Sequence, residues 1–127
     1  MLDQIKLNPV LKCNADDNII NVAKQLKQSI QRYIYVVDEK DYPIGIISTT
    51  DMNNKVIAEA RDPNQLKAKD IMTKNIEIYD INEDAIKVYK EMRQNRRMAV
   101  AVVKNKKFEG VLSFNMLLNH ITGGVRR

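Results

Sequence analysis

The feature that most constrains the fold is an internal repeat. Shifted by 66 positions, "VLKCNADDNIINVAKQLKQSIQRYIYVV" (10–37) lies over "IEIYDINEDAIKVYKEMRQNRRMAVAVV" (76–103) without a gap. Val10 falls on Ile76, Asn18 on Asp84, Leu26 on Met92 and Val37 on Val103. One residue is dropped in the next loop, after which Gly45 meets Gly110 and Ser48 meets Ser113. Few residues are identical, yet the apolar pattern persists. Two copies are too few for a solenoid, so a 127-residue chain of this kind is expected to form one module of two pseudosymmetric halves.

Each copy spells the same order of elements. A short strand (10–13; 76–79) leads into an acidic cap region, "NADDN" or "DINED". An amphipathic helix follows, with apolar residues at helical spacing: Ile19, Val22, Ala23, Leu26 and Ile30 in the first copy, Ala85, Val88, Tyr89 and Met92 in the second. Two strands come next, "YIYVVD" and "PIGIIS" joined by "EKDY", then "AVAVV" and "FEGVLS" joined by "KNKK". A last helix closes each copy, near 50–60 and 114–121. The fold class is α/β (α+β). Repeat 1 is expected over 8–60, a linker over 61–71 with Pro63 breaking the preceding helix, repeat 2 over 72–122 and a flexible tail over 123–127.

The phrase "GIISTTD" (45–51) recurs as "GVLSFNM" (110–116), with Met116 where Asp51 stands. Ser48 followed three residues on by Asp51 is a capping-box pattern, in which hydroxyl and carboxylate satisfy each other's backbone N–H groups. The same carboxylate can accept both hydrogens of a ribose 2′,3′-diol, since it offers two acceptor oxygens to two donors. A helix start beside it suits a phosphate. Both readings stand on the residues alone.

The segments "YIYVVDEKDYPIGIISTTD", "KDIMTKNIEIYDINEDA" and "AVAVVKNKKFEGVLS" resemble a tandem pair of CBS domains, named after cystathionine β-synthase and also called a Bateman module. The resemblance runs from about residue 8 to about 122. It implies two repeats packed sheet to sheet, a homodimer, and a non-catalytic regulatory module that senses an adenosine-containing ligand (AMP, ADP, ATP or S-adenosylmethionine) in the cleft between them. Asp51 would then grip the ribose. Ser48 and Thr50 would turn hydroxyls to the phosphate, and Ile46 and Ile47 apolar surface to the base. From the second side Thr73, Asn75, Ile76 and the backbone of Glu77 would border the base, with Arg97 and Met98 closing over it. Arg32 aligns with a phosphate-contacting position of some family members, and a guanidinium there can contact a phosphate through two bonds. The pseudosymmetric place built from Ser113, Asn115 and Met116 lacks the carboxylate, so at most one good nucleotide site is expected per chain. A thioether cannot accept a diol in this way.

Composition narrows the alternatives. The net charge of +5 comes from the second half: residues 1–65 hold 8 Lys/Arg against 9 Asp/Glu, residues 66–127 hold 13 against 7. "RQNRR" (93–97) and "KNKK" (104–107) concentrate it, which makes weak, salt-dependent nucleic-acid binding the rival function. Aromatic residues make up only 6% of the chain, and no helix-turn-helix pattern supports that rival. A third reading is a structural adaptor with empty clefts. The single cysteine, Cys13, permits no internal disulfide, and the single histidine, His120, has no cysteine or carboxylate near it in sequence. No catalytic residue, metal site or resident cofactor is expected. No apolar run approaches a membrane span, and "MLDQIKLNPV" is too polar for a signal peptide, which points to the cytoplasm.

Overall fold

The computed structural model describes residues 1–123, and within them the chain divides into two compact units. One comprises residues 10–76; the other joins residues 1–9 to those from 77 onward. Beyond Gly123, the tail expected over 123–127 lies outside the described residues.

In the first unit, β1 (Lys12–Asn14) runs parallel to β2 (Tyr33–Val37), which pairs antiparallel with β3 (Pro43–Ser48). Helix α1 (Ile19–Gln28) crosses between the parallel strands. Asn18 caps it, its Oδ1 accepting from Ile20 N at 2.9 Å. After β3 the chain turns into α2 (Thr49–Met52), which continues as a π-helical stretch over Asn53–Ile57. A 3-10 turn (Pro63–Gln65) and α3 (Ala68–Ile71) complete the unit. The expected linker is therefore structured: Leu66, Ala68 and Ile71 are buried in the same core as Ile19, Val22, Leu26, Ile34, Val36 and Ile47. The Asn18 amide ties it down, donating to the carbonyls of Pro63 (3.1 Å) and Leu66 (3.1 Å).

The second unit repeats this plan with β4 (Ile78–Asp80), α4 (Ala85–Gln94), β5 (Ala99–Lys104), β6 (Lys107–Ser113) and α5 (Phe114–Ile121). The repeat holds at the level of register. Lys12 opposes Tyr35 and Ile78 opposes Ala101; Val36 opposes Gly45 and Val102 opposes Gly110. Even the irregularity is copied, since the register slips between Val36 and Val37 and again between Val102 and Val103. The dropped loop residue sits in the hairpin. Asn105 and Lys106 both have positive φ (53° and 63°) and close β5 on β6 in the manner of a tight two-residue turn.

The leading segments complete the symmetry. Ala68 N donates to Asp17 O at 2.8 Å, and Leu2 N donates to Glu83 O at 3.2 Å, the same bond 66 residues away. The 3-10 turn Leu2–Gln4 thus stands in the second unit where α3 stands in the first. Leu2 is fully buried among Tyr79, Val88, Met92, Val100, Leu112 and Leu117.

Two expected core positions are not core. Ser29 leaves helical geometry (φ −108°, ψ 151°) and its N–H bonds to Leu26 O, so α1 ends before Ile30, which is fully exposed. Ala23 is also exposed, on the outer side of α1. The opening strands begin two residues later than the apolar pattern suggests, at Lys12 and Ile78.

Candidate functional site

The repeated glycines position the site. A Cβ on Gly45 would lie 2.6 Å from Met72 Sδ and 2.9 Å from its Cγ, so glycine leaves room for the Met72 side chain where residues 71–73 cross β3. That crossing pairs Ile46 with Thr73 through two backbone bonds, Ile46 N to Thr73 O (2.9 Å) and Thr73 N to Ile46 O (2.8 Å). It sets the Thr73 hydroxyl beside the start of α2.

There it meets Asp51. Ser48 caps α2, its Oγ accepting from Asp51 N at 3.1 Å. Asp51 Oδ2 accepts in return from Ser48 N (2.9 Å) and from Ser48 Oγ (3.2 Å). The capping box is real. The other carboxylate oxygen faces away from the cap: Oδ1 accepts from Thr73 Oγ1 at 3.1 Å and lies 3.0 Å from Lys55 Nζ. Lys55 also donates to Ile71 O (2.9 Å) and Thr73 Oγ1 (3.2 Å). Burial pushes the Asp51 carboxyl up, but the Ser48 backbone N–H, Lys55 and Thr73 together outweigh it and hold its pKa below the ordinary 3.8. Asp51 is the one buried charged residue among the described residues, at 9% exposure.

A cap alone does not need that burial. Asp70 Oδ2 accepts from Lys67 N (2.8 Å) and Glu83 Oε2 from Asp80 N (2.9 Å), the same kind of return bond. Asp70 makes its bond from an exposed position. The second copy makes the complementary point. Ser113 still caps, accepting from Met116 N at 3.1 Å, but no carboxylate returns the bond. At the positions of Asp51 and Lys55 the second unit carries Met116 and His120; Thr73 is replaced by Asn8, which makes with Val111 the two-bond bridge that Thr73 makes with Ile46. Met116 and Leu7 pack against its core. One copy keeps a carboxylate where the other has the thioether of Met116, and the acceptor at the centre of the cluster is lost.

The remaining candidates fall as follows. Ile46 is half-buried beside Thr73, Thr50 is exposed on α2, and Asn75 and Ile76 follow on the same strip of chain. Arg32 is exposed; its carbonyl accepts from Thr49 N (3.0 Å) at the start of α2. Ile47 must be corrected: it points to the opposite face of β3 from Ile46, is wholly buried in the core, and has no surface for a base. Glu77, Arg97 and Met98 belong to the other unit. Glu77 O accepts from Ala101 N (3.2 Å), and its carboxylate meets Asn95 Nδ2 (3.0 Å) and Arg97 Nε (3.4 Å). Met98 is 70% exposed, and its carbonyl accepts from Phe114 N, the bond Arg32 makes in the first unit. Sequence reasoning missed Lys55. Its place four residues after Asp51 on a helix was the available signal, since such pairs face each other.

Neither Cys13 nor a metal cluster offers further chemistry. Cys13 is buried, and burial pushes its thiol up to about 12, far from a reactive thiolate. Among the described residues no group of three or more His, Cys, Asp or Glu is placed to hold a metal ion. Nor is any helix among them long and apolar enough to cross a membrane.

The fold and the site define a duplicated α/β module with one carboxylate-centred cluster and one counterpart that lacks the carboxylate. The chain belongs to the CBS domain family, whose domain pattern matches it twice, over residues 3–57 and 68–123. Tandem CBS domains are typically regulatory, ligand-binding modules and generally non-catalytic. The chain is 26% identical over 119 residues to an uncharacterized protein of Methanopyrus kandleri. To the mitochondrial CBS domain-containing protein CBSX3 of Arabidopsis thaliana it is 27% identical over 107 residues. Those matches cover 91% and 81% of this chain but 59% and 52% of the relatives, so the chain spans little more than half the length of the curated relatives it matches. Among solved structures, Staphylococcus aureus OpuCA is similar with a TM-score of 0.77 at 15% identity, covering 94% of this chain and 98% of that one. Hypoxic Response Protein I, solved with two coordinated zinc ions, is similar at 0.74 and 16% identity, covering 94% and 96%. A hexameric CBS-CP12 protein from bloom-forming cyanobacteria is similar at 0.68 and 22% identity, covering 98% and 71%.

Proposed function

We propose that this protein is a non-catalytic regulatory module whose first repeat binds an adenosine-containing ligand (AMP, ADP, ATP or S-adenosylmethionine), with Asp51 accepting the ribose diol. The observation that carries the reading is the buried, ionised Asp51, a costly arrangement that an exposed capping carboxylate elsewhere in the chain avoids. Ser48 and Thr50 lie within a turn of it, Ile46 supplies apolar surface, and exposed Arg32 neighbours the start of α2 for a phosphate. Family membership supports ligand sensing as the role, and the Met116 copy supports a single site.

Isothermal titration of the four ligands onto wild type, Asp51→Asn and Asp51→Ala tests this. At least one ligand is expected to bind wild type, and both variants are expected to weaken it by about 10-fold or more, since hydrogen bonds to a charged group are the strong ones. No binding by wild type, or equal binding by the folded variants, overturns the site. A duplex DNA titration at two salt concentrations separates nucleic-acid binding: affinity that needs Arg93 and Arg96 but ignores Asp51 favours that rival.

Self-association belongs to the same proposal. Ile30, Ile57 and Met98 are 100%, 71% and 70% exposed, apolar side chains that association with a second copy would cover. A homodimer is expected in sedimentation velocity, and a monomer at micromolar concentration overturns it.

A further inference from the structure

The Asp51 carboxylate is already full. Ser48 N and Ser48 Oγ occupy Oδ2, and Thr73 Oγ1 and Lys55 Nζ occupy Oδ1, the four contacts two carboxylate oxygens can accept. The Lys55 ammonium is equally satisfied, spending its three hydrogens on Asp51 Oδ1, Ile71 O and Thr73 Oγ1. A ribose diol offers two more donors to the same oxygens. It can enter only if a resident donor leaves. The Ser48 contacts hold the helix start, and Thr73 is anchored by its two backbone bonds to Ile46. Lys55 is the resident held only by its side chain, 40% exposed, on a long flexible stem.

We infer that Lys55 is an internal competitor for the ligand's place: its ammonium sits on Asp51 and Thr73 and must swing off for a nucleoside to bind. The inference rests on the proposed site at Asp51. Lys55 is carried on the π-helical stretch Asn53–Ile57, which the second copy lacks; there α5 is regular from Phe114 to Ile121. The second copy also lacks the competitor, having His120 at that position and Met116 for Asp51. Lock and carboxylate thus occur together in one repeat and are both missing from the other. Lys55 thereby sets how tightly the site takes its ligand, and it discriminates against ligands whose hydroxyls cannot replace the ammonium.

Adenosine is the suitable probe, because it is uncharged and its own attraction to the protein is nearly indifferent to salt. Titration onto wild type and Lys55→Met is expected to show about 1.5- to 5-fold tighter binding by the variant, the range set by partly exposed ion pairs. Raising KCl screens the Lys55–Asp51 pair. Wild-type affinity for adenosine is therefore expected to rise with salt while that of Lys55→Met stays flat. Should Lys55→Met fail to fold, the wild-type salt series decides alone, and a flat or falling affinity overturns the lock. Binding by wild type with equal or weaker binding by a folded Lys55→Met overturns the lock and leaves the Asp51 site standing. Binding by Lys55→Met alone supports the lock. No adenosine binding by either protein removes the lock, while the Asp51 site stands or falls on the titrations of AMP, ADP, ATP and S-adenosylmethionine.

Discussion

Thr73 Oγ1 donates to Asp51 Oδ1 across 3.1 Å, joining two residues 22 apart in the chain and tying the segment before β4 to the start of α2. Thr73→Val keeps the shape and the backbone pairing with Ile46 but leaves one carboxylate contact unmade. Its expected cost is about 1 kcal/mol, seen as a lower urea midpoint with an unchanged slope. Thr73→Ser should lose less. Equal stability of Thr73→Val and wild type would show that the hydroxyl contributes nothing.

Acid sensitivity should trace to Asp51. Its carboxyl titrates below 3.8 in the fold and near 3.8 when unfolded. A folded pKa below the unfolded one gives stability that is complete above 3.8 and disappears as pH falls through the folded value. Urea midpoints taken from pH 6 down to pH 2.5 should therefore fall more steeply for wild type than for Asp51→Asn. Parallel curves would assign the acid limb to other carboxylates.

The two glycines of the repeat should not tolerate alanine equally. At Gly110 a Cβ would meet Leu7 Cβ at 2.7 Å and the Asn8 carbonyl oxygen at 3.0 Å, and that backbone is pinned to Val111 by two bonds. At Gly45 the obstruction is mainly the flexible end of Met72. Gly110→Ala is expected to cost about 1–3 kcal/mol and Gly45→Ala less, read from thermal unfolding. The reverse order would show that residues 7–8 yield more easily than Met72.

Leu2 should matter far more than its place at the chain start suggests. It is fully buried in the core of the second unit. Leu2→Ala is expected to cost about 2–5 kcal/mol. Amide exchange should accelerate most within residues 77–123 and least within 10–76. Uniform or negligible acceleration would mean that the leading turn is not part of that core.

Much of the architecture was readable from the residues. The 66-residue shift foretold two like units, and the strand registers and the bulge after Val36 and Val102 obey it. Helix α5 spans the residues expected of it, because its apolar spacing and the Ser113 cap agree. Helix α1 fell short of Ile30 because Ser29 turned its side chain to Gln31 N (3.0 Å) instead of continuing the helix. The 61–71 stretch read as a linker because its Pro and polar residues mask Leu66, Ala68 and Ile71. Only packing against α1 reveals their burial.

At the site the division is sharper. Sequence alone singled out Asp51, by the contrast with Met116, and the Ser48 cap, since both depend on spacing within one helix turn. Tertiary structure decided what the carboxylate touches. Thr73 arrives from 22 residues away where Gly45 leaves room for Met72 as the chain crosses β3, and pleat alternation sends Ile47 into the core while Ile46 stays at the site. Lys55 fills the remaining acceptor because the Ile71 carbonyl and the Thr73 hydroxyl happen to converge on its ammonium. Hydrogen-bond partners of a buried charge are fixed by distance in space, and one-dimensional spacing carries that information only within a helix turn or a hairpin.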